Sequence, residues 1–485
     1  MDEFDKKCKI EQDNELGRYL TAAIDIKAGE TIMLECPVLI LSANDERRCS
    51  NCFLLANEFC SKCKVFPLCG NCNTHNDYDC NKFVDMNELK TSELQKGGQI
   101  YGVLKCLLLR ENTETAECYK KFIQLEAHLE ERRNTEVWDE IKKNVVTPII
   151  NSGLPNYLKS DEESIDEELL QRLCSIVDVN CFEIRAPDTS YMRAVYLNAS
   201  LMSHQCVTNT VVAIDDNYKM KVYANRDITQ GEMLLNCYTN VLLGTEERRQ
   251  NLKLGKYFFC TCARCEDPTE LGSHMSSLIC PPCAQNKRDG FVVKKNNKWQ
   301  CLTCQHTVKT DFVENILERA KEEIFHAKDD IYRYELLLGK LNRFFHRNHY
   351  MMIDIKQNVA AILRSIILNL AHRPGRKVYE RKVRLCQEIL NVLQIIQPGI
   401  SRLKAIALYE LCNASAELHR MRFNENEISQ KELKELLQQS ESMLRESIRM
   451  LLYEPVETPE GKLAKSMLKE LKDLQNDMDM LKTKF

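Results

Sequence analysis

The sequence predicts an α+β protein, in which a strand-rich domain is split by a zinc-binding module and followed by further zinc sites and a helical C-terminal region. Three observations support this prediction. Two turns of the same pattern, Asp-Ile-x2-Gly-Glu, end at Glu30 and Glu232 between β-favouring runs. Cysteines recur in pairs at the spacing of metal ligands. From about residue 311 the chain is rich in Leu, Glu and Lys at helical spacing.

The strands are predicted in two separate parts of the chain. In the first part, residues 15–42 contain short β-favouring runs on either side of the turn that ends at Glu30. In the second part, strands are predicted over residues 211–214 and 219–224, and a further strand is predicted to run to Tyr238.

Helices are predicted between and after these two parts. Over residues 85–182, apolar side chains recur at the spacing of one helix face. The chain beyond residue 311 is almost entirely helical in pattern, with breaks near Pro374, Pro398 and Pro455. This arrangement suggests paired antiparallel helices in a repeat-like superhelix.

The composition excludes several classes of protein. A net charge of -4 over 485 residues, with both signs mixed, argues against a basic nucleic-acid surface. The first residues are polar and acidic rather than those of a secretory signal, and no apolar run has the length of a membrane span. We therefore expect a soluble intracellular protein without membrane contact.

The 24 cysteines call for metal rather than disulfides. Most of them fall into three clusters, and the others resemble small buried apolar residues. The first cluster supplies eight soft ligands, which fit two tetrahedral zinc ions. They are Cys49, Cys52, Cys60, Cys63, Cys69, Cys72, His75 and Cys80. A module this short needs the roughly 10–16 kcal/mol that structural zinc supplies. Partial disulfide bonding or a one-zinc knuckle are the alternatives.

The second cluster has three closely spaced thiols, Cys260, Cys262 and Cys265. A closed tetrahedral zinc site needs a fourth ligand, and Cys206 is the candidate. The metal would then tie the segment of Cys206 to the segment that precedes Cys260, and a pocket would form between them. The alternative is that Cys206 is a buried thiol.

The third cluster has the spacing of a zinc ribbon and predicts a structural zinc. Its ligands are Cys280, Cys283, Cys301 and Cys304. His306 is a spare candidate, although a single histidine more often has no metal.

These residues together resemble the SET and MYND domain-containing proteins, a branch of the SET-domain protein lysine methyltransferases. The resemblance covers nearly the whole chain and is most specific over residues 196–265. The Gly-Arg-Tyr-Leu sequence from Gly17 and the extra zinc ribbon are most similar to the arthropod-type branch. The resemblance rests on the inserted zinc module and on Gly17, Arg18, His204, Cys206, Tyr238, Cys260, Cys262 and Cys265.

The resemblance implies an order of domains along the chain. The SET domain is split by a MYND zinc module and a helical insertion, and post-SET, zinc-ribbon and helical domains resembling tetratricopeptide repeats follow it. The implied ranges are 1–48 and 183–244 for SET, 49–80 for MYND, 85–182 for the insertion, 245–270 for post-SET, 278–306 for the ribbon and 311–485 for the helices.

The resemblance also implies S-adenosylmethionine as cofactor and about four structural zinc ions. Tyr238 would be the active-site tyrosine, and Phe258 would stack on the adenine. The implied cofactor-binding residues are Gly17, Arg18, Tyr19, Ser203, His204, Tyr238 and Phe258. Two positions depart from the family pattern, because Tyr19 stands at a usual glycine and Ser203 at a usual asparagine. The second half of the MYND module also has shorter gaps than usual.

The function implied is a protein-lysine N-methyltransferase acting on histone or non-histone lysines. The alternative is a weakly active or inactive adaptor that recruits protein partners in transcriptional regulation. Expected partners are a substrate lysine and a proline-containing peptide at the MYND module, with the chain itself a monomer in the cytoplasm, the nucleus or both. A DNA-binding zinc protein is disfavoured, since the clusters lack a recognition-helix pattern.

Overall fold

A computed structural model describes residues 3–84, 86, 88–158, 164–369 and 374–481. The α+β prediction is confirmed, with short strands in both predicted parts and seven long helices from residue 310 onward in the described chain. The remaining residues fall inside the predicted segments 1–48, 85–182 and 311–485, and those parts of the predictions lie outside the described residues. No helix of the described chain is long and apolar enough to cross a membrane.

The first part of the strand domain begins with a short helix and continues in four strands. These are α1 (Glu3–Lys7), β1 (Cys8–Asp13), β2 (Gly17–Ala22), β3 (Thr31–Glu35) and β4 (Leu39–Ser42). Neither α1 nor β1 is predicted by the residue pattern, because this segment is mostly polar. Strand β1 forms by antiparallel pairing with β2, so its backbone partner rather than its own pattern determines it.

The zinc module and the helical insertion follow β4. The module holds β5 (Glu58–Phe59), β6 (Pro67–Leu68) and α2 (Asp77–Val84). The insertion holds α3 (Thr91–Leu94), α4 (Gly98–Glu111), α5 (Ala116–Phe122), α6 (Leu129–Arg132), α7 (Glu136–Ile141), a π-helical turn (Lys142–Val146), α8 (Thr147–Asn151), a 3-10 turn (Leu154–Asn156) and α9 (Glu167–Asn180). The two share one apolar core with β4, so the module packs on the insertion.

The second part of the strand domain completes the sheets begun by the first. It holds β7 (Phe182–Arg185), β8 (Tyr191–Val195), a 3-10 turn (Ala199–Leu201), β9 (Ser203–His204), β10 (Thr210–Ile214), β11 (Met220–Ala224) and β12 (Leu235–Asn236). Sheets of order β10-β11-β3 and β4-β8-β7 each join strands from both parts of the chain. The two parts therefore form one domain in space.

The two Asp-Ile-x2-Gly-Glu turns pair with each other in a nearly symmetric way. Ile26 and Ile228 form an antiparallel bridge with two backbone hydrogen bonds of 2.8 and 2.9 Å. The carboxylate of Asp25 accepts from the backbone N–H of Gln230 at 2.8 Å, and that of Asp227 accepts from the N–H of Ala28 at 2.9 Å. Each turn thus satisfies a backbone donor of the other.

The chain ends in a post-SET segment, a zinc ribbon and a set of long helices. The post-SET segment has α10 (Thr245–Lys256) and α11 (Ala263–Glu266), and the ribbon has β13 (Leu278–Ile279), α12 (Pro281–Gln285), β14 (Phe291–Lys295), β15 (Lys298–Cys301) and β16 (Thr307–Val308). The helices are α13 (Thr310–His326), α14 (Ile331–Leu341), α15 (Tyr350–Leu368), α16 (Arg376–Ile396), α17 (Arg402–Asn424), α18 (Gln430–Leu451) and α19 (Pro459–Met480).

The helical domain contacts the strand domain through the connections between its helices. The ring of Tyr453 stacks on Tyr223 of β11 at 5.3 Å between centroids. The buried Glu454 accepts from the Tyr223 hydroxyl at 3.2 Å and pairs with Arg402 at 2.7 Å. A β-carbon at Gly29 would lie 2.2 Å from the Tyr453 hydroxyl oxygen, so the paired turns also support this contact.

The prediction that a strand runs to Tyr238 is wrong. Strand β12 ends at Asn236, after a two-residue parallel pairing with β9. The backbone N–H of Tyr238 donates to the Nδ1 atom of His204 at 3.0 Å instead of to a strand neighbour. The His204 side chain thus takes the place of the backbone acceptor that would continue the strand.

Three histidines lie together where the ribbon meets α15. The rings of His274 and His346 are 4.9 Å apart, and Phe291 contacts the His346 ring at 4.6 Å. His349 is buried and caps α15, since its Nδ1 atom accepts from the N–H of Met351 at 3.3 Å. Burial lowers the pKa of His346 to about 4 and that of His349 to about 3, so both are neutral at pH 7.

We expect Gly29→Ala to destabilise the protein more than Gly231→Ala, the matched change in the paired turn. Both glycines have positive φ, 86° and 82°, so both substitutions cost about 1–2 kcal/mol of backbone strain. Only at Gly29 would the new methyl group meet Tyr453, which adds about 1–3 kcal/mol of overpacking. Urea denaturation measures both, and equal losses would contradict the Tyr453 contact.

We expect the stability of the helical domain to fall as the pH drops below about 6.5. In the unfolded chain His346 and His349 bind protons near pH 6.5, whereas in the folded chain they stay neutral until about pH 4 and 3. The free energy of unfolding therefore falls by up to about 1.4 kcal/mol per pH unit per histidine between pH 6 and 4. His349→Asn, which keeps an N-cap acceptor, should reduce this slope in urea denaturation. An unchanged slope would exclude His349 as a source.

Candidate functional site

The candidate site is built where β2, β12 and β9 lie side by side. The backbone N–H of Leu234 donates to the carbonyl of Leu20 at 2.9 Å, and the N–H of Ser203 donates to the carbonyl of Leu234 at 3.2 Å. Strands β9 and β12 are parallel, and His204 pairs with Asn236. Tyr238 follows two residues after Asn236, so it also lies near His204. This crossing brings the motifs around residues 17–20, 203–206 and 236–238 to one place.

His204, Tyr238 and Phe258 form an aromatic cluster. The His204 ring is 5.2 Å from the Tyr238 ring and 5.7 Å from the Phe258 ring, measured between centroids. The Tyr238 hydroxyl donates to the backbone carbonyl of Met202. The structure thus brings together three of the residues that the sequence assigned to cofactor binding and catalysis.

The cluster holds its titratable groups in neutral form. Burial lowers the pKa of His204 to about 4, and burial raises the pKa of Tyr238 above its ordinary value. The Nδ1 atom of His204 accepts from the Tyr238 N–H, so the ring proton is on Nε2. That nitrogen lies 3.6 Å from the Cys206 sulfur. His204 therefore joins the tyrosine to the second cysteine cluster.

Cys206 lies next to Cys260, Cys262 and Cys265, as expected for the fourth ligand of the second cluster. Its Sγ atom is 3.9 Å from that of Cys260 and 3.5 Å from that of Cys265, and the four sulfurs including Cys262 lie within 4.8 Å of one another. Zinc–sulfur bonds of about 2.3 Å in a tetrahedron separate sulfurs by about 3.8 Å. The donor set and its dimensions fit a structural zinc ion.

Two fully buried arginines lie beside these sulfurs, and neither stood out in the sequence. Arg248 of α10 donates to the sulfur of Cys206 at 3.3 Å and to that of Cys265 at 3.4 Å. It also pairs with the buried Glu270 at 2.8 Å, and Arg264 pairs with the same carboxylate at 2.9 Å. Four thiolates around Zn²⁺ carry a net charge of about -2, which the guanidinium of Arg248 partly neutralises.

The other twelve ligands assemble into three more groups of four. The first cluster interleaves its ligands, since Cys49, Cys52, Cys69 and Cys72 form one group and Cys60, Cys63, His75 and Cys80 the other. The ribbon group is Cys280, Cys283, Cys301 and Cys304. His306 belongs to none of the groups in the described chain. Sulfur pairs 3.5–3.8 Å apart occur in all three, so each donor set fits zinc.

The glycine motif shows why tyrosine is tolerated at its third position. Gly17 has a φ of 68°, and no atom lies within 4 Å of where its β-carbon would stand. Tyr19 lies in the regular part of β2 opposite Glu11, where no positive φ is required. The Arg18 side chain turns away to the insertion and donates to the carbonyl of Gln124 at 2.7 Å, so it is not part of the aromatic cluster.

Ser203 and Asn209 have different roles in the same segment. The Ser203 hydroxyl has no hydrogen-bond partner within the described ranges, and it lies next to His204. Asn209 is fully buried, and its side chain accepts from the N–H of Leu235 at 2.8 Å and donates to the carbonyl of Met233 at 2.7 Å. Asn209 thus fixes β12 against the segment that precedes β10. An Asn directly after a Val-Thr pair carries no distinctive spacing, so only its backbone partners reveal this role.

We expect Arg248→Met to weaken the zinc site at Cys206 and to destabilise the fold. The change removes the N–H donors to two sulfurs and one partner of the buried Glu270, which costs about 3–5 kcal/mol. A chromogenic chelator should withdraw one zinc per chain faster than from the parent protein. Arg249→Met is the matched control, because Arg249 contacts the carbonyl of Cys260 and the exposed Glu266 but no sulfur. Equal zinc release from both variants would contradict the role of Arg248.

Comparison with known proteins agrees with this geometry. The SET domain family matches residues 17–239. The SET domain-containing protein SmydA-8, isoform B, of Drosophila melanogaster is 23% identical over 380 residues, which cover 71% of this chain and 77% of the relative. The N-lysine methyltransferase SMYD2-B of Xenopus laevis is 27% identical over 301 residues, which cover 58% of this chain and 66% of the relative.

Among solved structures, the SET domain of LSMT bound to lysine and AdoHcy aligns with 98% of this chain and 88% of that one, at 10% identity and a TM-score of 0.32. This similarity is too weak to bear on the site. The family match spans both strand parts, and the zinc-type clusters and helical C-terminal region accompany it. With a SET domain matched over residues 17–239, the chain is similar to the SMYD proteins among the SET-domain proteins.

Proposed function

We propose that this chain is an S-adenosylmethionine-dependent protein-lysine N-methyltransferase. The observation that carries the proposal is the cluster of His204, Tyr238 and Phe258, held next to the Cys206 metal group. Relatives named as N-lysine methyltransferases, including one in Homo sapiens at 24% identity over 340 residues, support it.

The residues around the cluster fit this cofactor. Phe258 offers an aromatic ring for the adenine, and the unbonded Ser203 hydroxyl offers a donor and an acceptor. The open side of Gly17 lets a ligand approach the backbone. When bound, the cofactor supplies an electrophilic methyl group on a sulfonium centre.

The target amine must be neutral to accept that methyl group, whereas a free lysine has a pKa of about 10.4. The site favours the neutral form by burial, since the same environment lowers the pKa of His204 and raises that of Tyr238. Backbone carbonyls such as that of Met202 can accept the remaining N–H groups of the amine. Alignment and electrostatics then supply most of the rate.

Tyr238 orients the amine rather than removing its proton. Its hydroxyl donates to the Met202 carbonyl and has a pKa raised by burial, so it stays protonated at neutral pH. A protonated hydroxyl with a fixed donor direction still offers its lone pairs to an N–H of the substrate. We assign Tyr238 as the catalytic residue in this positioning sense.

The zinc ions are structural in this proposal and number about four. Each group of four ligands is complete, which leaves no open coordination position for a substrate. We further propose histone or non-histone lysines as targets, a proline-containing peptide as partner of the MYND module, and a monomer in the cytoplasm, the nucleus or both.

An inactive adaptor is the second candidate. It is favoured by Ser203, which lacks the amide of the usual asparagine, and by the Arg18 side chain, which contacts the insertion instead of the cluster. Titration calorimetry with S-adenosylmethionine separates the two candidates. Absence of binding would exclude the enzyme, and binding without transfer to any substrate would favour the adaptor.

We expect Tyr238→Phe to abolish methyl transfer while leaving the fold intact. Loss of the positioning hydroxyl should lower transfer from radiolabelled S-adenosylmethionine to histones or a protein array by about 100-fold or more. Cofactor affinity should change by less than about tenfold, because the ring against His204 remains. Tyr196→Phe is the matched control, since the buried Tyr196 hydroxyl also donates to a backbone carbonyl, at 2.6 Å, but outside the cluster. Equal activity of the two variants would refute the role of Tyr238.

A further inference from the structure

Lys256, the last residue of α10, turns its side chain inward to the candidate site. Its Nζ atom lies 5.7 Å from the centroid of the Tyr238 ring and donates to the backbone carbonyl of Val179 at the end of α9. A lysine at a helix end ordinarily keeps its ammonium in water while its methylene groups cover apolar surface. The inward position of the Lys256 ammonium beside Tyr238 is therefore unusual for a lysine at a helix end.

In the described part of the chain, no carboxylate lies close enough to Lys256 to form an ion pair with it. Within the described ranges its side chain takes part in no ion pair, and its polar contacts are the Val179 carbonyl and the Tyr238 ring. Burial lowers the pKa of Lys256, and the nearby Cys181 and Asp178 only partly oppose this shift. Holding a cation in such a place costs desolvation that an exposed lysine avoids.

These surroundings are the ones that a methyl-accepting lysine needs. The acceptor amine must lose water, so that its pKa falls, and it must find a carbonyl acceptor and the ring of the positioning tyrosine. Lys256 has the first two, and its Nζ atom lies 5.7 Å from the centroid of the ring of that tyrosine. The other contacts of Tyr238 described above, with Met202 and His204, come from the cofactor-binding segment. Lys256 thus brings an amine to the ring from a different element, the post-SET helix.

We propose that in the resting protein Lys256 occupies the position of the substrate lysine amine, as an internal pseudosubstrate that an incoming substrate displaces. The inference rests on the proposed function, because that function places the reacting amine at Tyr238. Lys256 would make the site more selective. A substrate would have to gain enough binding free energy from contacts outside the lysine position to offset the cost of displacing Lys256.

The displacement needs only a side-chain movement. The two residues after Lys256 are held in place, because the ring of Tyr257 lies 5.3 Å from that of His128 and the ring of Phe258 contacts His204. Tyr257 also has a left-handed φ of 62°, which ends the helix sharply. Lys256 itself is half-buried, so rotation about its side-chain bonds carries Nζ to solvent.

A purely structural role for Lys256 makes a different prediction. The Val179 carbonyl is one of the last of α9 and lacks a partner in its own helix, and lysines often cap such ends. A structural cap keeps its position when a lysine side chain enters the site. A pseudosubstrate leaves it.

Amine footprinting distinguishes the two. The full-length protein is treated briefly with acetic anhydride, and mass spectrometry gives the extent of acetylation at each lysine. In the resting protein, Lys256 should react at least about tenfold more slowly than the exposed Lys253 on the same helix. Addition of Nα-acetyl-lysine methylamide at tens of millimolar should raise the reactivity of Lys256 severalfold, whereas the norleucine analogue, which lacks the amine, should not.

Two footprinting outcomes would overturn the proposal. The first is that Lys256 reacts as fast as Lys253 in the resting protein. The second is that the reactivity of Lys256 stays constant or falls when the lysine probe is added. The experiment needs no methyl transfer, so it separates this inference from the proposed function. Displacement of Lys256 in a protein without transferase activity would show that a lysine side chain binds at Tyr238 and would refute only the assignment as a transferase.

Kinetics supply the second measurement. Lys256→Ala should lower the KM for a protein substrate severalfold without raising the KM for S-adenosylmethionine, because the competing amine is gone. Lys256→Arg keeps the charge and the carbonyl contact, so its KM should stay near that of the parent even if the alanine variant folds poorly. Lys253→Ala is the matched control and should leave the KM unchanged. An unchanged or higher KM in a folded Lys256→Ala would count against the pseudosubstrate.

Discussion

The candidate site depends on one link, the sulfur of Cys206 placed among three post-SET sulfurs. Cys206 and Cys260 are 54 residues apart, and no strand pairing joins their segments. A metal bound by these four sulfurs would supply a connection that strand pairing does not. His204, two residues before Cys206, and Phe258, two residues before Cys260, meet because their neighbours share this group. Metal coordination at this group would therefore also hold the aromatic cluster together.

The electrostatics of this link explain why so many charged side chains are buried around it. Arg248 faces two of the sulfurs, and Glu270 holds Arg248 and Arg264 together. The carboxylate keeps its charge, because the two arginines lower the pKa of Glu270 against the effect of burial. Without the sulfur charges, the two guanidinium groups would share one carboxylate in a water-free place, which is costly. The negative charge of the four sulfurs and the positive charge of the two buried arginines thus stabilise each other.

The sequence predicted the parts of the molecule whose chemistry demands particular residues at particular spacings. The sixteen metal-ligating positions, the two turns before Glu30 and Glu232, and the residues His204, Tyr238 and Phe258 belong to this class, because a ligand or a turn needs a side chain or a φ of one kind. The structure groups the ligands and brings the three aromatic residues together, and it adds the interleaving of the MYND ligands, which spacing leaves open.

The sequence did not predict the contacts that depend on tertiary neighbours. Arg248 and Lys256 look like ordinary helix residues, and their burial follows only from what α10 packs against. The mistaken strand end at Tyr238 has the same origin, since a histidine side chain takes the N–H that a strand would use. Tyr19 at a usual glycine position does not strain the backbone, because the residue of this motif with a positive φ is Gly17. Only the dihedral angles of the structure reveal this.

The pairing of the two turns has a consequence for how the chain folds as it is synthesised. Ile26 finds its partner in Ile228, and β3 and β4 pair with β11 and β8, so these parts cannot close until the second part of the strand domain has left the ribosome. The MYND module and the insertion lie between them and hold local metal ligands and helices of their own. They can fold first. We therefore expect the middle of this chain to fold before its beginning, with strands β3 and β4 exposed to solvent or to chaperones in the interval.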